Sequence, residues 1–240
     1  DNTVHTIEGN SSNTVKRNSY KTDSKSILGY GIPAFPNSIS NGVSGMLSEE
    51  FKYFAKYESS CNYDQGFSSS DDYHALGYYQ FDNRYDLQKF LKYCYQSDNN
   101  KYACFEAYLS CSKASLRNNK GLEKAWHTAY SNDPKDFANK QDQFEYNNYY
   151  IPIENALKSL GIDLSSRRDC IKGLVCGMAN LFGNSGAKRL IKNSGVTNDL
   201  GDKEFVTKLC DYLVSYCPKH YAYGKSYANR YKRSEEHTSE

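Results

Sequence analysis

The chain has 240 residues, enough for one well-packed core and a second, partial domain. Its 30 basic and 28 acidic residues are interspersed, so the net charge of +2 gives no reason to expect a nucleic-acid partner. Hydrophobic residues make up 38% of the chain, and no apolar run approaches the roughly 20 residues of a membrane span, so membrane insertion is not expected.

Tyrosine is unusually frequent, with 23 residues against 11 phenylalanines and 1 tryptophan. A tyrosine ring has an apolar face and a polar tip, which suits a wet groove that binds a large hydroxylated ligand such as a glycan. A core that uses tyrosine in place of phenylalanine explains the count equally well.

The eight cysteines form no CxxC pair, so a zinc site of the finger or ribbon type is not expected, and we predict neither a metal nor a cofactor. An even number of cysteines fits an exported protein with some disulfide bonds. Buried free thiols are the alternative.

Residues 1–20 predict a pair of strands. The β-favouring run TVHTIE is closed by Gly9 and Asn10 and is followed by SSNTVKRNSY. Residues 29–46 collect Gly, Pro, Ser and Asn, which is typical of a linker. We therefore divide the chain into an N-terminal piece at 1–28, a linker at 29–46 and a main domain at 47–232.

The N-terminal run TVHTIEGNSSNTV resembles the closing strands of CHAP-type cysteine amidases and endopeptidases. In that family an E-x-N pair on a late strand orients the catalytic histidine, and Glu8 and Asn10 match it here. The cysteine and histidine of such a site would lie upstream of this chain, and His5 is too close to Glu8 to serve as the base. The resemblance implies a remnant that is inactive as a peptidase, while a chance β-hairpin is the alternative.

Helical periodicity begins at Leu47 and dominates the rest of the chain. LSEEFKYFAKYE has acidic residues in its first turn, where the helix dipole favours them. Between 60 and 82, Ser, Asp, Gly and Tyr replace helix formers and predict a loop or small β excursion. Further helical segments are predicted at 84–95, 101–116, 120–131, 134–148, 150–160, 166–182, 184–193 and 202–217.

Glu58 is the first candidate catalytic residue. On an α-helix beginning near Ser48, it falls on the apolar stripe that contains Phe51, Phe54 and Ala55. A carboxyl group held against apolar surface has a raised pKa and can act as a general acid, which glycosidic bond cleavage requires. Alternatively, the helix has frayed by this point and the Glu58 side chain is solvated.

The residues that follow resemble the lysozyme-like superfamily, which includes lytic transglycosylases, phage lysozymes and chitosanases. Glu58 is followed by Ser59 and Tyr63, and then by ALGYYQF, in which Gly77 and Gln80 match a G-x-x-Q segment. In those families the glutamate is the catalytic acid and the G-x-x-Q segment lines the saccharide groove. The segments 141–162 and 173–191 also resemble helices of such hydrolases.

A second carboxylate would decide the mechanism. Asp72 is the first choice, because it lies in a polar bend that could fold over the cleft. Asp64, Asp71 and Asp82 are alternatives, and each aspartate could simply stabilise a turn. Lytic transglycosylases need no second carboxylate.

The resemblance implies a set of saccharide-contacting residues around Glu58. His74 and Tyr85 are further candidates for hydrogen bonding or stacking, although an ordinary loop histidine and core tyrosines explain them as well. The predicted substrate-binding residues are Ser59, Tyr63, Tyr73, Gly77, Tyr78, Tyr79 and Gln80.

The last residues, RSEEHTSE at 233–240, lack periodicity and match one reading frame of a common sequencing adapter. We therefore exclude them from the predicted domain, as one would exclude an expression scar. A natural acidic tail is the alternative. The chain is expected to be a fragment of a longer protein.

Together these features predict a mainly α, lysozyme-like domain with a small β or loop excursion at its cleft and a short N-terminal β remnant. The predicted function is a peptidoglycan hydrolase, secreted, associated with the cell wall or delivered by a phage as an endolysin. It would cleave β-1,4 glycosidic bonds with Glu58 as general acid and act as a monomer on glycan strands. A non-catalytic glycan-binding module of a CHAP peptidase and a chitosanase-like glycosidase are the alternatives.

Overall fold

The computed structural model describes residues 3–11, 14–21, 45–57, 59 and 61–238. The chain divides into two compact units, Asp1–Asn37 and Ser38–Glu240. It is mainly helical, as the sequence predicts. The domain boundaries predicted at residues 28, 46 and 232 stay predictions, and most of the predicted linker lies outside the described residues.

The first unit contains an antiparallel strand pair. Strand β1 (Thr3–Ser11) pairs with β2 (Thr14–Lys21), with Glu8 opposite Lys16 and an irregular register after Glu8. The predicted strand pair is therefore present, and Glu8 and Asn10 both lie on β1.

The first helix of the second unit is much shorter than predicted. Helix α1 (Glu49–Lys52) begins after Ser48, whose Oγ accepts a hydrogen bond from the Phe51 amide at 3.1 Å. A 3-10 helix, Tyr53–Tyr57, follows directly. Because a 3-10 helix has about 3.0 residues per turn, the α-helical stripe used to orient Glu58 does not apply there. Glu58 itself lies outside the described residues.

The excursion predicted at 60–82 is present. It contains a short 3-10 helix, Ser69–Asp71, and two short antiparallel strands, β3 (Ala75–Leu76) and β4 (Phe81–Asp82). Its turns use residues with positive φ, which explains why small and polar residues replace helix formers in this segment.

The remaining helices follow the predicted order. The predicted helix at 101–116 is replaced by a 3-10 helix and the short α3. The two segments predicted on either side of residue 183 are both helical, and the non-helical Gly183 separates them within α7. The elements are α2 (Leu87–Ser97), a 3-10 helix (Ala103–Tyr108), α3 (Lys113–Leu116), α4 (Lys120–Asn132), α5 (Pro134–Glu145), a π-helix (Tyr146–Tyr150), α6 (Ile151–Lys158), α7 (Asp169–Ser194), α8 (Asp202–His220) and α9 (Gly224–Thr238).

Aromatic side chains form the centre of the core. The Trp126 ring lies edge-on to Phe137 with 4.9 Å between centroids, and Phe81 stacks on Phe90 at 4.4 Å. These four rings come from β4, α2, α4 and α5 and are almost completely buried. The excursion is therefore anchored to the helices by its own aromatic residue, Phe81.

A buried polar cluster, which we call the Asp142 cluster, joins α1, the excursion and α5. Asp142 Oδ1 accepts hydrogen bonds from the hydroxyls of Tyr63 and Tyr79, each at 2.8 Å. Its Oδ2 accepts one from the Leu47 amide at 2.9 Å. The buried Lys52 ammonium donates to the Tyr63 hydroxyl at 2.9 Å, so the carboxylate and the cation share a tyrosine.

The electrostatics of this cluster follow from burial. Loss of water raises the pKa of Asp142, and the Lys52 charge and three donated hydrogen bonds oppose that rise only in part. Burial also raises the pKa of Tyr63 and Tyr79 far above the usual range, so both hydroxyls act as donors.

All eight cysteines lie in the part of the chain that the structure describes, and each is a free thiol. Six of them are buried. The expected disulfide bonds are therefore not formed, and the cysteines act mainly as small apolar core residues.

Helix α9 runs through Thr238 and so includes most of the segment that we predict to be adapter read-through; its origin stays a prediction. Among the described residues, we find no helix with the length and apolar character needed to cross a membrane.

Candidate functional site

A groove of about 1000 Å³ lies on the second unit. Eight residues between Ser70 and Asp86 line one part of it, and Tyr149, residues 180–183, Tyr223 and Tyr227 line the rest. Its volume is at the upper end of the range for small-molecule sites. It is the main candidate for a ligand site among the residues that the structure describes.

The backbone is irregular at three places around the groove. Gln80 has a φ of 56°, Tyr149 lies in the π-helix, and Gly183 interrupts α7 with φ 69° and ψ 160°. Short π-helical segments and conformations that only glycine adopts easily are frequent at functional sites. Their convergence on one groove supports a functional role for it.

Asp86 and Tyr149 form a polar pair in the groove. The Tyr149 hydroxyl donates a short hydrogen bond to Asp86 Oδ2, and the Asp82 amide donates to Asp86 Oδ1 at 3.1 Å. Burial raises the pKa of Asp86, although both hydrogen bonds act against the rise. Burial and the nearby carboxylate raise the pKa of Tyr149 well above the usual range, so Tyr149 is the donor.

Exposed aromatic rings lie at the surface of the groove. Tyr85 is 67% exposed and Tyr223 is 74% exposed, which is unusual for such large side chains. The Arg84 guanidinium lies 5.7 Å from the centre of the Tyr85 ring and binds both carboxylate oxygens of Asp82. Its charge is therefore already paired.

Asn180 connects the groove to the core. Its Nδ2 donates to the fully buried Glu145 carboxylate at 3.2 Å and approaches the Tyr79 carbonyl at 3.5 Å. The Cys176 thiol lies 3.6 Å from the same carboxylate. A displacement of α7 at the groove would therefore disturb buried polar groups.

Most predicted substrate-binding residues lie in the core instead of the groove. Tyr63, Tyr78 and Tyr79 are buried, and Tyr63 stacks on Tyr78 with 4.2 Å between centroids. Ser59 is also buried and donates to the Tyr78 carbonyl at 2.6 Å. In this structure these four residues hold the excursion against α5, and a ligand-binding role for them stays a prediction.

Gly77 and Gln80 form a turn between β3 and β4. The Gln80 amide and its side-chain Nε2 both donate to the Gly77 carbonyl, at 3.2 and 2.9 Å. A Cβ on Gly77, whose φ is 81°, would lie 2.4 Å from Trp126 Cζ2. The spacing of this pair thus has a local structural cause, and Gln80 is the one member of the predicted substrate-binding set that lines the groove.

The predicted second carboxylate, Asp72, does not line the groove. It is exposed, has a left-handed backbone with φ 57°, and forms an ion pair with Arg117. Its neighbour Tyr73 is half-buried and accepts a hydrogen bond from the Asn118 amide through its carbonyl. These contacts tie the excursion to the segment between α3 and α4.

The alternative candidates are placed differently. Asp71, Asp82 and Tyr85 line the groove, whereas Asp64 accepts a hydrogen bond from, or pairs with, His127 at 2.7 Å. The His74 Nδ1 lies 2.7 Å from Asn83 Oδ1. With Glu58 outside the described residues, the predicted pairing of Glu58 and Asp72 has no observed geometry.

The sequence did not single out Asp86, Tyr149, Asn180 or Tyr223. Two of them lie in segments that the resemblance pointed to, 141–162 and 173–191, but no local pattern separates them from their neighbours. Asp86 lies in the first turn of the helix predicted at 84–95, where an acidic residue is ordinary. Only the fold brings these four side chains to one groove.

A second depression, of about 410 Å³, runs along α4 beside Lys120, Glu123 and His127. All of its lining residues belong to that one helix, so no other element closes over it. Across the described ranges, no three His, Cys, Asp or Glu side chains are grouped in a way that could hold a metal ion.

Residues 52–238 match the family model of the C-terminal domain of the VgrG3-like spike protein of the type VI secretion system. Because the match covers more than half of the chain, this chain belongs to that family. No curated protein matches the chain.

This membership corrects the predicted identity. The chain is assigned neither to the lysozyme-like superfamily nor to the CHAP peptidases, so both resemblances were wrong. The motif residues behind the first resemblance build a turn and a core cluster. Short motifs of this kind arise readily from local structure.

The functional predictions are corrected by the same finding. The family is one of secretion-system spike proteins, so the predicted peptidoglycan hydrolase or endolysin, its enzymatic class and its glycan-binding alternatives are not supported. The predicted partner set, a monomer acting on glycan strands, is overturned with them.

Proposed function

We propose that this chain provides the C-terminal domain of a type VI secretion spike protein and is carried outward with the spike. The observation that supports this proposal is the family match over residues 52–238. The family is named for its position at the C-terminus of a spike protein. A domain at that position must fold without blocking assembly of the spike segments that precede it in the chain.

The architecture suits such a position. Residues 38–240 form a compact unit that includes the aromatic core and the Asp142 cluster. A unit with its own core can be appended to a larger assembly and fold independently. The free thiols suit it as well, because folding before export would need no oxidising compartment.

We also propose that the domain acts outside the cytoplasm that produces it, in keeping with the predicted secreted location. The groove is its proposed ligand-contacting surface. Gln80 keeps its predicted binding role there, because it lines the groove beside Asp82 and Asp86.

A secretion experiment tests the spike assignment. The full chain, with an epitope tag, would replace the C-terminal region of a spike protein in a bacterium whose type VI system is active. We expect the tagged fusion in the culture medium and in purified spike assemblies, and we expect neither in a strain with a non-contractile sheath.

An unrelated helical domain of similar size, fused at the same position, is the matched control. The proposed function is wrong if the unrelated domain is secreted while the fusion with this chain stays in the cell. It is also wrong if the fusion with this chain prevents spike assembly.

A further inference from the structure

The groove combines negative charge with exposed aromatic rings. Its lining includes three carboxylates, from Asp71, Asp82 and Asp86, and a single guanidinium, from Arg84. Arg84 forms an ion pair with both carboxylate oxygens of Asp82, so these two charges offset each other. The charge left unbalanced in the groove is negative.

Asp71 holds a half-buried carboxylate in a fixed position at the groove. Its Oδ1 and Oδ2 accept hydrogen bonds from the amides of Tyr73 and Ala75, at 3.0 and 2.9 Å. Each carboxylate oxygen has a second lone pair, so Asp71 can accept another donor without losing these bonds. The carboxylate is therefore pre-positioned for a cationic ligand.

The aromatic rings complement this charge. Tyr85 and Tyr223 account for two of the three large apolar side chains that are strongly exposed among the described residues with a known burial. A tyrosine face attracts ammonium and guanidinium groups, and exposed aromatic surface otherwise opposes solubility. Two such rings at a single groove indicate a surface that is covered by a ligand.

We propose that the groove binds an extended peptide segment bearing lysine or arginine side chains. The ammonium or guanidinium groups would contact Asp71 and the faces of Tyr85 and Tyr223, while the apolar stems would lie on the aromatic surface near Phe182. The proposal rests on the proposed role of the groove as the ligand-contacting surface, but it does not depend on the spike assignment.

Binding of a synthetic peptide to the purified full chain tests the proposal. The probe is a fluorescein-labelled ten-residue peptide in which lysine alternates with glycine and serine, measured by fluorescence anisotropy at low salt. One comparison peptide replaces each lysine with glutamate, and a second replaces it with norleucine, which keeps the stem and removes the charge.

We expect the lysine peptide to bind at least tenfold more tightly than either comparison peptide, and we expect added salt to weaken its binding. Asp71→Asn and the double variant Tyr85→Ala, Tyr223→Ala should each weaken it by threefold or more. Tyr95→Ala is the matched control, because Tyr95 lies on α2 away from the groove lining and should leave binding unchanged.

Equal binding of all three peptides, or equal effects of the groove and control substitutions, would overturn the proposal. Thermal melting of each variant separates loss of the site from loss of the fold. If peptide binding fails while secretion with the spike succeeds, only this inference is lost, whereas the reverse result removes only the spike assignment.

Discussion

The Asp142 cluster and the groove use the same residue types in opposite ways. In the cluster, Asp142 accepts hydrogen bonds from Tyr63 and Tyr79, and all three side chains are removed from water. In the groove, Asp86 accepts a hydrogen bond from Tyr149, but the exposed rings of Tyr85 and Tyr223 lie nearby.

Depth therefore decides what a tyrosine does in this protein. In the core, every removed hydrogen bond leaves a buried polar group without a partner, so the tyrosine contributes to stability. At the mouth of the groove, solvent surrounds the rings of Tyr85 and Tyr223, so these side chains are free to contact a ligand, whereas Asp86 is buried at its wall. Substitutions in the two regions should accordingly affect different properties.

The largest expected effect comes from removing the carboxylate at the centre of the Asp142 cluster. Asp142→Ala should lower the free energy of unfolding by about 3–5 kcal/mol, because it leaves two tyrosine hydroxyls and the Leu47 amide without their acceptor. It also removes a negative charge near the buried Lys52, which keeps its ion pair with Glu49. Urea denaturation followed by circular dichroism measures this.

Asp72→Asn is the control, since it removes only an exposed ion pair with Arg117 that should contribute about 0–1 kcal/mol. Asparagine tolerates the left-handed backbone at this position. A similar loss of unfolding free energy in the two variants would contradict a special structural role for the buried carboxylate.

The next effect concerns the backbone of the groove. Gly183→Ala should cost about 1–3 kcal/mol, because φ 69° with ψ 160° is a conformation that side chains with a Cβ avoid. Beyond its own local backbone, no atom lies within 4 Å of the position that its Cβ would take, so crowding cannot explain a loss.

Gly201→Ala is a matched control for this prediction. Its Cβ position is equally open, but its φ is −62°, which any residue adopts. Gly161→Ala, with φ 77° and the same open surroundings, should cost about 1 kcal/mol. If urea denaturation gives the same free energy of unfolding for all three variants, the kink at Gly183 is not a strained conformation.

Removal of single hydroxyls gives a sharper comparison of the two regions. Tyr79→Phe should lower the free energy of unfolding by about 1–3 kcal/mol, because Asp142 loses a donor in the absence of water. Tyr223→Phe should change it by less than about 0.5 kcal/mol, since that ring is largely exposed. The two variants differ from the wild type by one oxygen each, so equal stabilities in urea would refute the proposed role of depth.

The smallest effect is the contribution of Asp86 to the pH dependence of stability. Its pKa is raised in the folded state, so the folded protein keeps a proton that the unfolded chain has already released. Between the ordinary aspartate pKa of 3.8 and the raised value, stability therefore falls as pH rises, by at most about 1.4 kcal/mol per pH unit.

Asp86→Asn should lack this part of the pH dependence, which denaturation at several pH values can measure. Asp136→Asn is the opposite control. Burial acts to raise the pKa of Asp136, but Lys101 and Tyr102 lower it overall, so its contribution is lost as pH falls. A steeper fall in stability with rising pH in Asp86→Asn would contradict the assignment.

The sequence determined the mainly helical class, the loop excursion between 60 and 82, the N-terminal strand pair and the break in helicity at Gly183. These features follow from local periodicity and from the backbone preferences of Gly, Ser and Asp, which act over a few residues. The side chains of Ser48, Asn119 and Asp133 cap helices in the structure, which is likewise a local interaction between near neighbours.

Only the tertiary structure decided which polar residues are buried together and which line the groove. A lysine in a short helix is usually exposed, yet Lys52 lies in the core and donates a hydrogen bond to Tyr63 of the excursion. Asp86, Tyr149 and Asn180 are separated by tens of residues and meet only after α2, the π-helix and α7 have packed. Local patterns carry no information on such distant contacts, and so the sequence indicated a site near Glu58 whereas packing created the groove.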